Sequence, residues 1–157
     1  TLNKNKNIEL VICGSGYLKD NYLKLIASLG IQDNVTISDH FLNPSQLKYI
    51  YNISNFIVIP SIVAKDGDTE GLPVVLLESL YFGKVTLAST QSNAPEIIEN
   101  KKNGFIFNSS NKNDLNELME EILENKFDLN EIEENAKATG KRYISENIAK
   151  IHYDHLF

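Results

Sequence analysis

Short, nearly continuous apolar runs alternate along the chain with longer segments in which apolar residues recur every three or four positions. Runs of the first kind suit strands covered on both faces, and segments of the second kind suit amphipathic helices. Their alternation predicts βα units around a mostly parallel sheet. Five strands are expected, over Ile8–Cys13, Val35–Ser38, Asn55–Pro60, Lys84–Ser89 and Gly104–Phe107. Helices are expected between them. Tyr17–Leu29 carries Leu18, Tyr22, Leu25, Ile26 and Leu29 on one stripe and stops at Gly30. Pro44–Asn52 follows Asn43 as its N-cap, and Pro73–Phe82 has proline at its first position and stops at Gly83. Asn93–Asn100 and Lys112–Glu124 complete the set, the latter ordered by Leu115, Leu118, Met119, Ile122 and Leu123. From Asn130 onward the pattern predicts one or two helices, broken near Gly140. The Asn- and Lys-rich stretches at 100–103 and 108–113 read as surface turns.

This order of elements predicts a Rossmann-like, three-layer α/β/α fold. The 157 residues, 42% of them hydrophobic, are enough for one well-buried domain and too few for two ordinary ones. Fifteen Lys and Arg against 21 Asp and Glu leave a net charge of −6 with no basic stripe, so nucleic acid is not an expected partner. No run approaches the roughly 20 apolar residues that span a bilayer, and residues 1–7 lack the apolar stretch of a secretory signal. A soluble chain is expected, in the cytoplasm or at the inner face of the membrane. Cys13, the one cysteine, ends an apolar run and reads as a buried structural thiol. No Cys/His cluster has zinc spacing, and neither an essential metal nor a cofactor is expected.

Open parallel sheets bind ligands at the carboxyl ends of their strands, so the loops after the strands carry the candidate chemistry. Gly14-Ser15-Gly16 lies between a strand and a helix. Its glycines serve either a tight turn or the close approach of backbone amides to a phosphate or sugar. The segment from Pro60 to Glu78 says more. A strand ends, a polar loop follows, and a helix opens at Pro73 while neither Gly71 nor Leu72 offers a side-chain acceptor for the free amides. A diphosphate there meets the N–H groups of Val74 and Val75 and the positive end of the helix dipole. Glu70 and Glu78, eight positions apart, are suitable acceptors for sugar and ribose hydroxyls. The alternative for each glutamate alone is a solvated loop carboxylate or an ordinary helical Glu.

The run EGLPVVLLE resembles the donor-site motif of the family 4 glycosyltransferases of GT-B fold (glycosyl transferases group 1). LVICGSG, VTISDHF, NFIVIPS and APEIIENKKNGFIF are similar to the family's other segments, and RYISENIAKIHYDHLF resembles its closing helix. The resemblance implies a retaining glycosyltransferase that transfers a hexose-type sugar from a UDP-, GDP- or ADP-sugar to a glycan or lipid acceptor. Glu70 is then the catalytic-site carboxylate on the donor sugar, and Glu78 takes the ribose hydroxyls. Backbone at Gly71, Leu72 and Pro73 holds the sugar and diphosphate, with Val74 and Val75 at the phosphate end. Gly14, Ser15 and Gly16 line the donor site. Asp39, His40, Phe41 and Leu42 cradle the base.

Family members usually also carry an opening strand with a Gly-Arg end and a following Lys, and an amino-terminal acceptor domain. Neither is found in these 157 residues, so residues 1–157 are expected to form the donor-binding half, with 130–157 as its closing helix or helices. Peripheral membrane association is expected of the full protein. Other readings are a non-catalytic nucleotide-binding module or a GT-B relative such as an epimerase. Asp66-x-Asp68-x-Glu70-Gly71 also mimics the start of a calcium loop, but the twelfth position falls on Leu77 and Pro73 interrupts the second half. His40 in the base loop reads either as a donor contact or as a surface residue, and His152 and His155 in the tail read as packing or interdomain contacts and not as metal ligands.

Overall fold

The computed structural model describes residues 8–14, 16–38, 42–64, 66–67, 69–111 and 113–143. The tail beyond 143, and with it most of the segment resembling the family's closing helix, His152 and His155, lies outside the described residues. The chain divides into two compact units, residues 1–47 and 48–157.

In the first unit, β1 (Leu10–Ile12) pairs in parallel with β2 (Val35–Ile37), Val11 opposite Thr36. Between them runs α1 (Lys19–Leu29), which ends at Gly30 with φ 66°. The Gly30 and Ile31 amides turn back to the carbonyls of Ala27 and Ile26, the double bond of a left-handed helix stop. α2 (Pro44–Ile53), whose residues from Lys48 on, Tyr51 among them, belong to the second unit, starts as expected. The Gln46 amide donates to the Asn43 carboxamide oxygen and the Asn43 amide to the Gln46 oxygen, both at 2.9 Å, so a reciprocal capping box sets the start.

The second unit contains β3 (Phe56–Ile59), α3 (Val74–Tyr81), β4 (Val85–Ser89), β5 (Phe105–Phe107), α4 (Asp114–Leu123) and α5 (Leu129–Tyr143). Its three strands form a parallel sheet in the order β3-β4-β5, with Val58 opposite Leu87 and Ala88 opposite Ile106. The two-residue period of a strand then sorts the core. Ile57, Ile59, Ala88 and Ile106 pack with Leu76 and Leu80 of α3 and Ala136 of α5. Phe56, Val85, Leu87, Phe105 and Phe107 pack with Leu115, Leu118, Met119 and Ile122 of α4 and with Ile132 of α5. Helices therefore cover both faces of this three-stranded sheet, and the second unit has the expected α/β/α layering. β4 carries two buried polar side chains, Thr86 and Ser89; Thr86 donates to Ser79 Oγ at 2.8 Å, and Ser79 donates in turn to the Leu76 carbonyl, so these buried hydroxyls are satisfied.

Several expectations are corrected. Asn93–Asn100 is not a helix but a single 3-10 turn, Ala94–Glu96. Asn103 diverts the backbone: its side chain accepts the Glu99 amide at 2.8 Å and donates to the Ile97 carbonyl and to Thr139 Oγ1. That places Asn103 in the interior, although the stretch 100–103 reads as a surface turn; Lys101 and Lys102 are exposed there as expected. α5 is not broken at Gly140. The helix passes through it because a β-carbon at that position would stand 2.5 Å from the Tyr81 amide nitrogen, and hydrogen in its place lets α5 lie against α3. Pro73 sits one residue ahead of the helix, as an extended N-cap. Of the α1 stripe only Ile26 is half-buried; Leu18, Tyr22, Leu25 and Leu29 are exposed. Cys13 is exposed too, one residue past the end of a short strand, and partial desolvation pushes its thiol pKa up.

Candidate functional site

The sequence-expected donor residues fall in both units. In the first, Gly14 has φ 127°, a backbone angle that L side chains rarely adopt, so the turn itself accounts for this glycine. Gly16 has neither a positive φ nor a crowded β-carbon position. Leu42 is half-buried; Ser15, Asp39, His40 and Phe41 lie outside the described residues.

The second unit holds the carboxylates. The loop between β3 and α3 leaves the carboxyl end of its strand, where a parallel sheet presents ligands to solvent. It is pinned at both ends. Near its start, Ser89 at the end of β4 donates through Oγ to the Ser61 carbonyl at 2.6 Å. Near its finish, the Asn93 amide donates to the Gly71 carbonyl at 3.1 Å. Between these anchors Ser61 Oγ donates to Glu70 Oε2, holding an otherwise exposed carboxylate against the strand end. Asp66 is described and exposed, and Asp68 lies outside the described residues.

Gly71 follows Glu70 directly. Its φ is not positive, and a β-carbon there would meet nothing within 4 Å, so neither backbone conformation nor internal packing requires glycine. Pro73 is buried, while Leu72, Val74 and Val75 are exposed. No side chain caps α3, and its first backbone bond is the Leu76 amide to the Pro73 carbonyl at 3.0 Å. Among the described residues the Val74 and Val75 amides have no acceptor, as the sequence expects of an uncapped helix start.

Glu78 lies a turn further along α3 and is buried, at 8% exposure. Tyr51 of α2, itself buried, donates its hydroxyl to Glu78 Oε2 at 2.7 Å. The Tyr51 ring stacks on Phe82, centroids 4.9 Å apart and planes 8° from parallel. The motif thus presents one exposed carboxylate, an open glycine and an uncapped helix start, with a second, buried carboxylate inside the helix. Ser61, Ser89 and Asn93 were not read from the sequence as site residues. Ser61 stands in the same loop, but its bond to Glu70 depends on loop shape, and nothing in the spacing of Tyr51 marks it as a partner of Glu78.

The family model of the glycosyl transferases group 1 matches residues 1–139. The amylovoran biosynthesis glycosyltransferase AmsK of Erwinia amylovora is 32% identical over 98 residues, covering 62% of this chain and 24% of AmsK. An uncharacterised glycosyltransferase of Methanocaldococcus jannaschii is 30% identical over 145 residues, 92% of this chain and 35% of that protein. The chain therefore spans about a quarter to a third of the length of these relatives. The crystal structure of HepE from Anabaena in complex with UDP is similar with a TM-score of 0.75 at 17% identity, covering 96% of this chain and 42% of that one. Among the described residues no helix is long and apolar enough to cross a membrane. The match over most of its length and the shared architecture place this chain in the glycosyl transferases group 1 family, with the GT-B fold.

Proposed function

We propose that the second unit binds the donor of a retaining hexosyl transfer, a nucleoside diphosphate sugar. The observation that carries the proposal is Glu70, held by Ser61 beside an open Gly71 at the uncapped start of α3. A carboxylate accepts hydrogen bonds only, which suits the hydroxyls of a hexose. The free amides of Val74 and Val75 and the α3 dipole suit the diphosphate, and the gap at Gly71 admits it close to the backbone. In the transfer, the acceptor oxygen bonds to the anomeric carbon as the bond from that carbon to the diphosphate breaks. The acceptor's proton passes to the departing diphosphate oxygen, and the remaining charge of the nucleoside diphosphate is stabilised by the amides. Glu78 takes the ribose hydroxyls. The UDP bound by HepE supports a nucleotide donor, and the name of AmsK supports a glycan acceptor. A lipid-linked acceptor at the inner face of the membrane is the other acceptor class this reading allows.

Calorimetric titration with UDP-, GDP- and ADP-sugars against the matching bare diphosphates tests the donor site. The chain should bind one sugar nucleotide more tightly than its diphosphate. Glu70→Gln should remove that preference, a loss of about 1.5–3 kcal/mol, the worth of hydrogen bonds to a charged group, and should leave the bare diphosphate's affinity unchanged. Equal affinity for sugar nucleotide and diphosphate in the unaltered chain would sink the reading.

A further inference from the structure

We infer that Tyr51 is a positioning residue that sets the Glu78 carboxylate for ribose recognition; this rests on the donor-site reading above and deepens it. The bond from the Tyr51 hydroxyl to Glu78 Oε2 is 2.7 Å long, and both side chains are buried. A glutamate has three side-chain torsions, and ordering them costs conformational entropy. A carboxylate that must meet two neighbouring ribose hydroxyls at once binds best when that ordering is done before the ligand arrives.

Tyr51 is suited to the task because it is itself held. Its ring lies flat on Phe82, the residue that closes α3 four positions after Glu78, so one aromatic side chain touches both the last turn of α3 and its end. Phe82 is fixed in turn: its amide closes onto the Glu78 carbonyl at 3.0 Å, and Tyr81 packs edge-on against its ring. The Lys84 ammonium donates to the Asn52 carbonyl at 3.2 Å, tying the residue beside Tyr51 to the turn after α3. The tyrosine hydroxyl thus reaches the carboxylate from a rigid platform. The consequence is specificity. A carboxylate held in place accepts from hydroxyls and has nothing to offer a sugar that lacks them. A nucleotide without the 2′ and 3′ hydroxyls gains nothing from a carboxylate set in this way.

The test is a binding comparison on the whole chain. The 5′-diphosphates of uridine, guanosine and adenosine are titrated, and the tightest is carried forward with its 2′,3′-dideoxy counterpart. The unaltered chain should prefer the ribose form about tenfold or more. Tyr51→Phe keeps the ring and its stack on Phe82; it should reduce the preference to a few-fold by weakening the ribose form alone. Glu78→Gln should abolish the preference. If Glu78→Gln abolishes it and Tyr51→Phe leaves it intact, the inference about Tyr51 fails while the donor-site reading stands. If Glu78→Gln keeps the preference, or no diphosphate binds, the reading of Glu78 fails and the inference with it. If Tyr51→Phe weakens both nucleotides equally, Tyr51 is structural and the inference is overturned. Should Tyr51→Phe not fold, Phe82→Leu, which removes only the platform, must show the same selective loss.

Discussion

Glycines at single positions do opposite work in this chain, and the structure separates them. Gly14 is required by its own φ of 127°, whereas Gly71 is required by neither conformation nor packing. Alanine at 14 forces a side chain into a sparsely allowed region, at a cost of about 1–3 kcal/mol. Alanine at 71 meets only open space. Urea denaturation should therefore show Gly14→Ala destabilised and Gly71→Ala with an unchanged midpoint, while donor titration of Gly71→Ala should show weakened binding. A loss of stability at 71 as large as that at 14 would mean that Gly71 serves the fold and not the ligand. Serine 61 has two roles in one residue: its carbonyl is held by Ser89 and its hydroxyl holds Glu70. Such side-chain partnerships are settled by where a loop returns in space.

Among the elements, the α3–α5 pair organises the second unit. α3 starts uncapped at the site and stops at Gly83, with φ 64°, where the Gly83 and Lys84 amides close onto Leu80 and Ser79 carbonyls. Gly140 then brings α5 onto the end of α3, with backbone where a side chain would otherwise sit. Gly140→Ala sets a methyl against the Leu80 and Tyr81 backbone, which cannot yield as a flexible side chain can. The expected destabilisation is about 1–3 kcal/mol, the usual cost of overpacking, read from the urea midpoint. An alanine at 140 that stabilised the chain, as it would in an exposed helix, would show that the two helices are not in this contact. The 15-residue α5 also shows why Gly inside a helical pattern is ambiguous from sequence. A helix break and a close helix crossing both select glycine, and only the neighbour decides between them.

At the scale of the whole molecule, the two units differ in how much they bury. Every buried side chain among the described residues, from Tyr51 to Gly140, belongs to residues 48–157. β4 is buried along its whole length, whereas Leu10 and Val11 of β1 are exposed. Regions with few buried apolar contacts open at lower free energy. Hydrogen exchange should accordingly find the β1 and β2 amides exchanging faster than those of β4 and β5, by about a hundredfold or more if the difference reaches 3 kcal/mol. Uniform protection across all five strands would show that the first unit is as firmly held as the second.

The sequence by itself determined the alternation of strands and helices, the helix stops at Gly30 and Gly83, the Asn43 cap and the motif from Glu70 to Glu78. These features act over a few residues: a hydrophobic period selects helix or strand, and glycine or asparagine at a terminus satisfies groups that the backbone leaves open. Tertiary structure decided the rest. It set Asn103 inside the molecule, carried α5 through Gly140, left Cys13 exposed and joined Tyr51 to Glu78 across 27 positions of chain. Each of these depends on which surface arrives opposite a residue after the elements pack, and local periodicity contains no record of that distance.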